Sequence, residues 1–223
     1  MKLGVLFTGG KDSLLALYKK KDEVVCLLTM ISENIDSYMF HTSSIEITKL
    51  QAESLNLPLV LGKTTGEKEK ELIDLKELIK KAIKEYKIDG LVTGALFSEY
   101  QSSRIDNICK ELGIKCINPL WHMDPEDELN ELIKNKFEFI LTSIAADGLD
   151  KSWMNKIITE KEVIKLKELN KKYGINMIFE GGEAETLVLN CPLFKKRIKI
   201  IDYEIKMESE NCGKLLIKKA ELV

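Results

Sequence analysis

The chain has 223 residues, 44% of them hydrophobic and 31% charged, with a formal net charge of −2. That is an ordinary globular composition, long enough for one large domain or two modest ones, and it excludes a global basic field that would recruit nucleic acid. Five cysteines (Cys26, Cys109, Cys116, Cys191 and Cys212) form no CxxC pair, and His41 and His122 are the only histidines. A structural zinc site is therefore not expected. No charged leader or long apolar stretch is visible, so a reduced, cytoplasmic setting is expected, with no membrane partner.

Taken in order, residues 3–7 are apolar and read as a buried strand. Leu14, Leu15, Leu17 and Tyr18 follow at helical spacing. Between them stand Thr8, Gly9, Gly10, Lys11, Asp12 and Ser13. Glycine lets a chain turn tightly and approach a ligand closely. The first amides of a helix lack partners within it and carry the positive end of its dipole, so a phosphate fits there. Lys11 adds a point charge, and Thr8 and Ser13 add hydroxyl donors. Neither GxxxxGK[ST] nor GxGxxG is present, which excludes the Walker A loop and the dinucleotide fingerprint. A turn that needs glycine for structure alone is the plain alternative.

Residues 23–30 read as a second strand, and residues 31–42 as an irregular stretch. Ser43 and Glu46 form a capping box for a helix ending near Asn56. Residues 59–62 are a third strand. Residues 67–86 form an amphipathic helix, with Leu72, Leu75, Leu78, Ile79, Ala82 and Ile83 on one stripe. Residues 90–93 are a fourth strand, ending at Gly94. Ser98 caps the next helix, with Gln101 three residues on, and Gly113 stops it. A fifth strand begins at residues 116–117. Such alternation predicts a parallel sheet with helices on both faces and ligands at the carboxyl ends of its strands.

The pattern changes near Asp124, an N-cap followed by Pro125. A helix over 126–135 precedes a strand over 137–144. Thr159 and Glu162 cap another helix, and residues 177–179 read as a strand. From residue 196 the tail alternates apolar and charged residues, as half-exposed antiparallel strands do. The expected domains are 1–121 and 122–223. Residues 180–186 (EGGEAET) are the second unusual stretch, crowding Glu180, Glu183 and Glu185 around Gly181 and Gly182. Like charges repel, and glycine gives up chain entropy on folding. Such groups suit Mg²⁺, a cationic substrate or proton transfer. A solvated acidic turn is the plain alternative.

Residues 8–13 resemble the SGGxDS pyrophosphate loop of the N-type ATP pyrophosphatases, with Thr8 keeping the hydroxyl of the usual serine. With the EGGE-type motif, the chain resembles the diphthine–ammonia ligase family within that group. Residues 94–101 (GALFSEYQ), Arg104, residues 119–121 (PLW), residues 146–150 (ADGLD), Trp153 and residues 189–194 (LNCPLF) add to the resemblance in order, over nearly the whole chain. Ala184 departs from it, standing where an aromatic residue is frequent, and Asp106 stands for a frequent glutamate.

The resemblance implies a Rossmann-like, HUP-type α/β sheet in the first domain and a smaller α+β substrate-binding domain in the second. It implies a ligase: diphthine on translation elongation factor two, ammonium and ATP give diphthamide, AMP and pyrophosphate through an adenylated carboxylate. Thr8, Gly9, Gly10, Lys11, Asp12 and Ser13 would then hold ATP. Asp12 would hold Mg²⁺, directly or through water, or else cap the helix. Met30, Gly94 and Ser98 would complete the nucleotide site, and Tyr100, Gln101, Arg104, Gly181 and Gly182 would serve the substrate. Lys11, Glu180, Glu183 and Glu185 would carry the chemistry, the glutamates binding cations or acting as base.

Arg104 could equally form a salt bridge within the fold, and Trp121 and Trp153 read more simply as core anchors. A homodimer is left open. Two other readings compete. One is a tRNA-modifying adenylating enzyme with the same loop, which the near-neutral charge and missing zinc cysteines disfavour. The other is an ATP-binding sensor without turnover.

Overall fold

Strand β2 (Val24–Ser32) is buried along nearly its whole length, which marks it as an interior strand of a sheet covered on two faces. In the computed structural model, which describes residues 1–32, 45–67 and 70–223, it lies next to β1. His41 and the Ser43 cap fall outside the described residues. The chain groups into two units, Met1–Thr8 with Asp12–Trp121, and Gly9–Lys11 with His122–Val223.

In the first unit, β1 (Leu3–Leu6), β2, β3 (Leu59–Thr64), β4 (Gly90–Val92) and β5 (Lys115–Ile117) make one parallel sheet in the order β3-β2-β1-β4-β5. Its helices are α1 (Lys11–Lys19), α2 (Ile45–Leu55), α3 (Lys70–Tyr86) and α4 (Glu99–Glu111). The stripe Leu75, Leu78, Ile79 and Ala82 of α3 shares a core with Ile105, Ile108 and Cys109 of α4 and with Cys26, Leu28, Val60 and Leu91 of the sheet. Those two helices therefore cover one face. Right-handed crossovers assign α1 and α2 to the other. The chain runs outward from β1 to β3, then returns to β4 beside β1. That reversal is the switch point at which such sheets open a crevice at their carboxyl ends. The segments after β1 and after β4 are the glycine turn and Gly94.

Helix ends follow the local signals. Ser98 Oγ accepts from Gln101 N at 3.3 Å, and α4 stops at Leu112 before Gly113, whose φ is +69°. In the second unit, Asp124 caps α5 (Pro125–Lys134) through the amides of Glu126 and Asp127. The antiparallel strands β6 (Glu138–Ala145), β7 (Ala184–Asn190), β8 (Ile198–Ser209) and β9 (Cys212–Leu222) are ordered β7-β6-β9-β8. One expectation fails: residues 177–179 form a turn, not a strand. Their side chains are buried, which explains the apolar signal, but Asn176 Oδ1 accepts from Ile178 N at 3.0 Å and Asn176 O from Phe179 N at 3.0 Å. This local bonding turns the backbone out of any sheet.

Helix α6 (Glu160–Tyr173) begins with the expected capping box of Thr159 and Glu162, and Lys156 Nζ lies 2.7 Å from the buried Glu162. Burial pushes the Glu162 carboxyl up, but the hydrogen bonds and charge from Lys156 and Thr159 outweigh it and hold it down at about 2. A carboxyl lowered on folding stabilises the fold above its unfolded value and loses that contribution as pH falls toward the folded value. The window runs from the ordinary 4.5 down to about 2, and the contribution is on the order of 3 kcal/mol. Urea melts across this window are expected to show the stability gap between wild type and Glu162→Gln closing as pH drops. A constant gap would contradict the assignment.

Candidate functional site

The carboxyl ends of β1, β2, β4 and β5 lie together in the first unit. The end of β1 is tied to β2 by Phe7 N donating to Leu28 O at 2.8 Å and by Thr29 Oγ1 donating to Phe7 O at 2.6 Å. Beyond it, Thr8 N and Thr8 Oγ1 both donate to Ser13 Oγ, at 3.3 and 3.2 Å. The two hydroxyls expected on phosphate thus also brace each other across the turn. Gly94 has a steric reason to be glycine: a Cβ there would stand 2.9 Å from both Asp12 C and Ser13 N, backbone atoms of the first turn of α1. The chain after β4 therefore presses on the start of α1. Below it, Thr93 Oγ1 donates to Asn118 Oδ1 at 2.6 Å, and Asn118 Nδ2 donates to Ser102 Oγ at 2.9 Å.

Other expected nucleotide and substrate residues are engaged locally. The Met30 side chain is in the core with α3 and β3, so it offers a ligand only its backbone. Ser98 is occupied as the cap that receives Gln101 N. Arg104 stacks on Tyr100, 3.5 Å from the ring centroid, and Arg104 Nη1 donates to Tyr100 O at 3.4 Å.

The second unit holds Gly9–Lys11 together with the glutamate-rich turn. Gly9 has φ +82°, a region that glycine enters without strain. Strand β7 is at the edge of its sheet. Val188 N of β7 donates to Gly9 O at 3.0 Å, and Lys11 N donates to Thr186 Oγ1 at 3.1 Å. The glycine turn is thereby fastened to the strand that continues directly from Glu183. The Lys11 side chain is 1% exposed, and its Nζ lies 2.8 Å from Oε1 of Glu128, which is 0% exposed.

Within EGGEAET the three glutamates separate. Glu183 turns back on its own loop: Oε2 accepts from Gly181 N at 2.8 Å and Oε1 from Asn176 N at 3.1 Å. Gly182 completes the turn at φ +85°. Glu185 is half-buried in β7, its amide donating to Ser143 Oγ at 3.1 Å. Glu180 is exposed. Among the described residues no group of three or more His, Cys, Asp or Glu side chains is arranged to hold a metal, and Asp12 stands in the first turn of α1.

Glu128 and Thr186 were not singled out from the sequence. Glu128 carried a usable signal, an acid on the helical stripe shared with Leu129 and Leu132. Thr186 carried none, because its role depends on a chain segment 175 positions away.

A parallel sheet whose first strand runs through a glycine turn into its first helix has the arrangement of a nucleotide-binding α/β protein. Two family models match, the diphthamide synthase N-terminal domain over residues 1–116 and its C-terminal domain over residues 124–223. The chain belongs to the diphthamide synthase family. It is 38% identical over 224 residues to the diphthine–ammonia ligase of Schizosaccharomyces pombe, covering 92% of this chain but 37% of that protein. It is 36% and 33% identical over 231 residues to those of Mus musculus and Homo sapiens, covering 94% of this chain and 86% of each. A solved structure described as "predicted subunit of tRNA methyltransferase", from Methanocaldococcus jannaschii DSM, covers 86% of the chain at 20% identity with a TM-score of 0.44, too loose a likeness to bear on function.

Proposed function

We propose that this chain is a ligase that amidates diphthine on translation elongation factor two, consuming ATP and ammonium and releasing AMP and pyrophosphate. The observation that carries this reading is the fastening of the glycine turn to β7, by Lys11 N to Thr186 and Val188 N to Gly9 O. It brings the phosphate-type turn and the glutamate turn onto one strand.

The chemistry needs that proximity. A carboxylate is a poor acyl donor. Its oxygen attacks the α-phosphorus, the bond to the β-phosphate oxygen breaks, and pyrophosphate leaves. Ammonia then attacks the acyl carbon, the bond to AMP breaks, and a proton passes to a base. Negative charge grows on the departing pyrophosphate, where the amides at the start of α1 and the Ser13 hydroxyl would receive it. Gly94 keeps that helix start in place. Residues 1–121 would serve as the nucleotide half and residues 122–223 as the substrate half. The carboxylates of Glu180 and Glu185 suit the trimethylammonium group of diphthine and the ammonium ion, one of them taking the proton. Mg²⁺ would neutralise the phosphates, and with no protein cage among the described residues it would be held mainly by phosphate oxygens and water, with Asp12 nearby.

The test is labelled ATP with purified diphthine-bearing elongation factor two and ammonium. AMP formed in step with amide is expected. Stable ATP binding without AMP would favour a sensor, and tight salt-sensitive tRNA binding would favour the tRNA-modifying reading.

A further inference from the structure

We propose that Glu128 is a positioning residue for the nucleotide site: it takes up the charge of Lys11, so that Lys11 anchors the glycine turn and does not itself touch pyrophosphate. The name of the nucleotide rests on the ligase reading; the anchoring does not.

Three contacts fix this short segment inside the second unit. Val188 N holds Gly9 O, Thr186 Oγ1 holds Lys11 N, and Glu128 Oε1 holds Lys11 Nζ at 2.8 Å. The last is of a different kind from the others. Both side chains are enclosed, at 1% and 0% exposure, and charges this deeply buried are tolerated when they are paired. Drawing Nζ away to a phosphate would break a buried, charge-paired hydrogen bond. That penalty exceeds what one charge-assisted hydrogen bond returns.

Glu128 is itself well fixed, two turns from the far end of α5 and with its amide donating to Asp124 O at 3.0 Å. A rigid helix thus sets the position of Nζ, and Nζ sets the course of the backbone leading into α1. Phosphate recognition then falls to backbone amides and hydroxyls, which need the correct backbone path more than they need a lysine charge.

The test compares Glu128→Gln, Lys11→Met and the Lys11→Met/Glu128→Leu double variant. The readouts are thermal melting and hydrogen exchange of the peptide spanning residues 8–13 in ligand-free protein, and ATP affinity by calorimetry without the elongation factor. Glu128→Gln is expected to lower the melting temperature, speed exchange in that peptide and weaken ATP binding about tenfold or more. Lys11→Met should do the same. The double variant, with no charge left to bury, should recover the melting temperature, the slow exchange and ATP affinity to within about threefold of wild type.

A double variant that melts like wild type yet binds ATP as poorly as Lys11→Met would overturn the proposal, because Lys11 would then be serving the phosphates. So would a Glu128→Gln protein that melts early but binds ATP normally, since Glu128 would then serve stability alone. If the single variants do not fold, the double variant alone decides. Wild-type protein that binds ATP but never forms AMP with its partner would sink the ligase reading and leave this comparison intact.

Discussion

Replacing Gly94 with alanine is expected to weaken ATP binding by about tenfold or more and to lower the melting temperature. The added methyl would stand 2.9 Å from Asp12 C and Ser13 N, and these are backbone atoms that cannot rotate aside. Either the turn after β4 or the start of α1 must move. Overpacking of this kind costs about 1–3 kcal/mol, and about 1.4 kcal/mol of it expressed in binding is tenfold in affinity. Calorimetry with ATP, alongside a thermal melt, checks it. Wild-type affinity and melting in Gly94→Ala would mean that this close approach does not set the helix start.

Changing Glu183 to glutamine is expected to be nearly as damaging to amide formation as changing it to alanine, lowering the rate about a hundredfold while ATP affinity stays within about threefold. Both carboxylate oxygens accept from backbone amides, Gly181 N and Asn176 N. A glutamine offers one acceptor and one NH₂ group, so one amide would face a donor. A hydrogen bond to a charged acceptor is worth about 1.5–3 kcal/mol, and losing one here loosens the turn that carries Glu180 and leads into β7. Single-turnover assays that follow AMP and amide separately would show the loss in the amide step. A glutamine variant that amidates at the wild-type rate would mean that the carboxylate does not hold the turn.

Much of this could be read in the residues. The parallel sheet came from apolar runs of strand length alternating with helical stripes. The caps at Ser98, Asp124 and Thr159 came from side-chain chemistry that acts within three residues. Short-range signals of this sort survive into the fold because nothing distant competes with them. The apolar run at residues 177–179 misled because burial, not strand geometry, produced it, and Asn176 decided the backbone path. Lys11 was legible only in part. A lysine beside two glycines reads as a phosphate contact, and only the fold reveals Glu128, 117 positions later, 2.8 Å from its ammonium. Glu183 likewise reads as one of three equal acids until its two amide partners are seen.

The most direct measurement uses purified elongation factor two carrying diphthine, incubated with this protein, ATP and isotopically labelled ammonium, then digested and weighed by mass spectrometry. The expected result is the labelled amide on the diphthine residue, with AMP and pyrophosphate formed in equal amount. AMP without label on the factor, or no AMP at all from protein that demonstrably binds ATP, would contradict amidation of diphthine as the function of this chain.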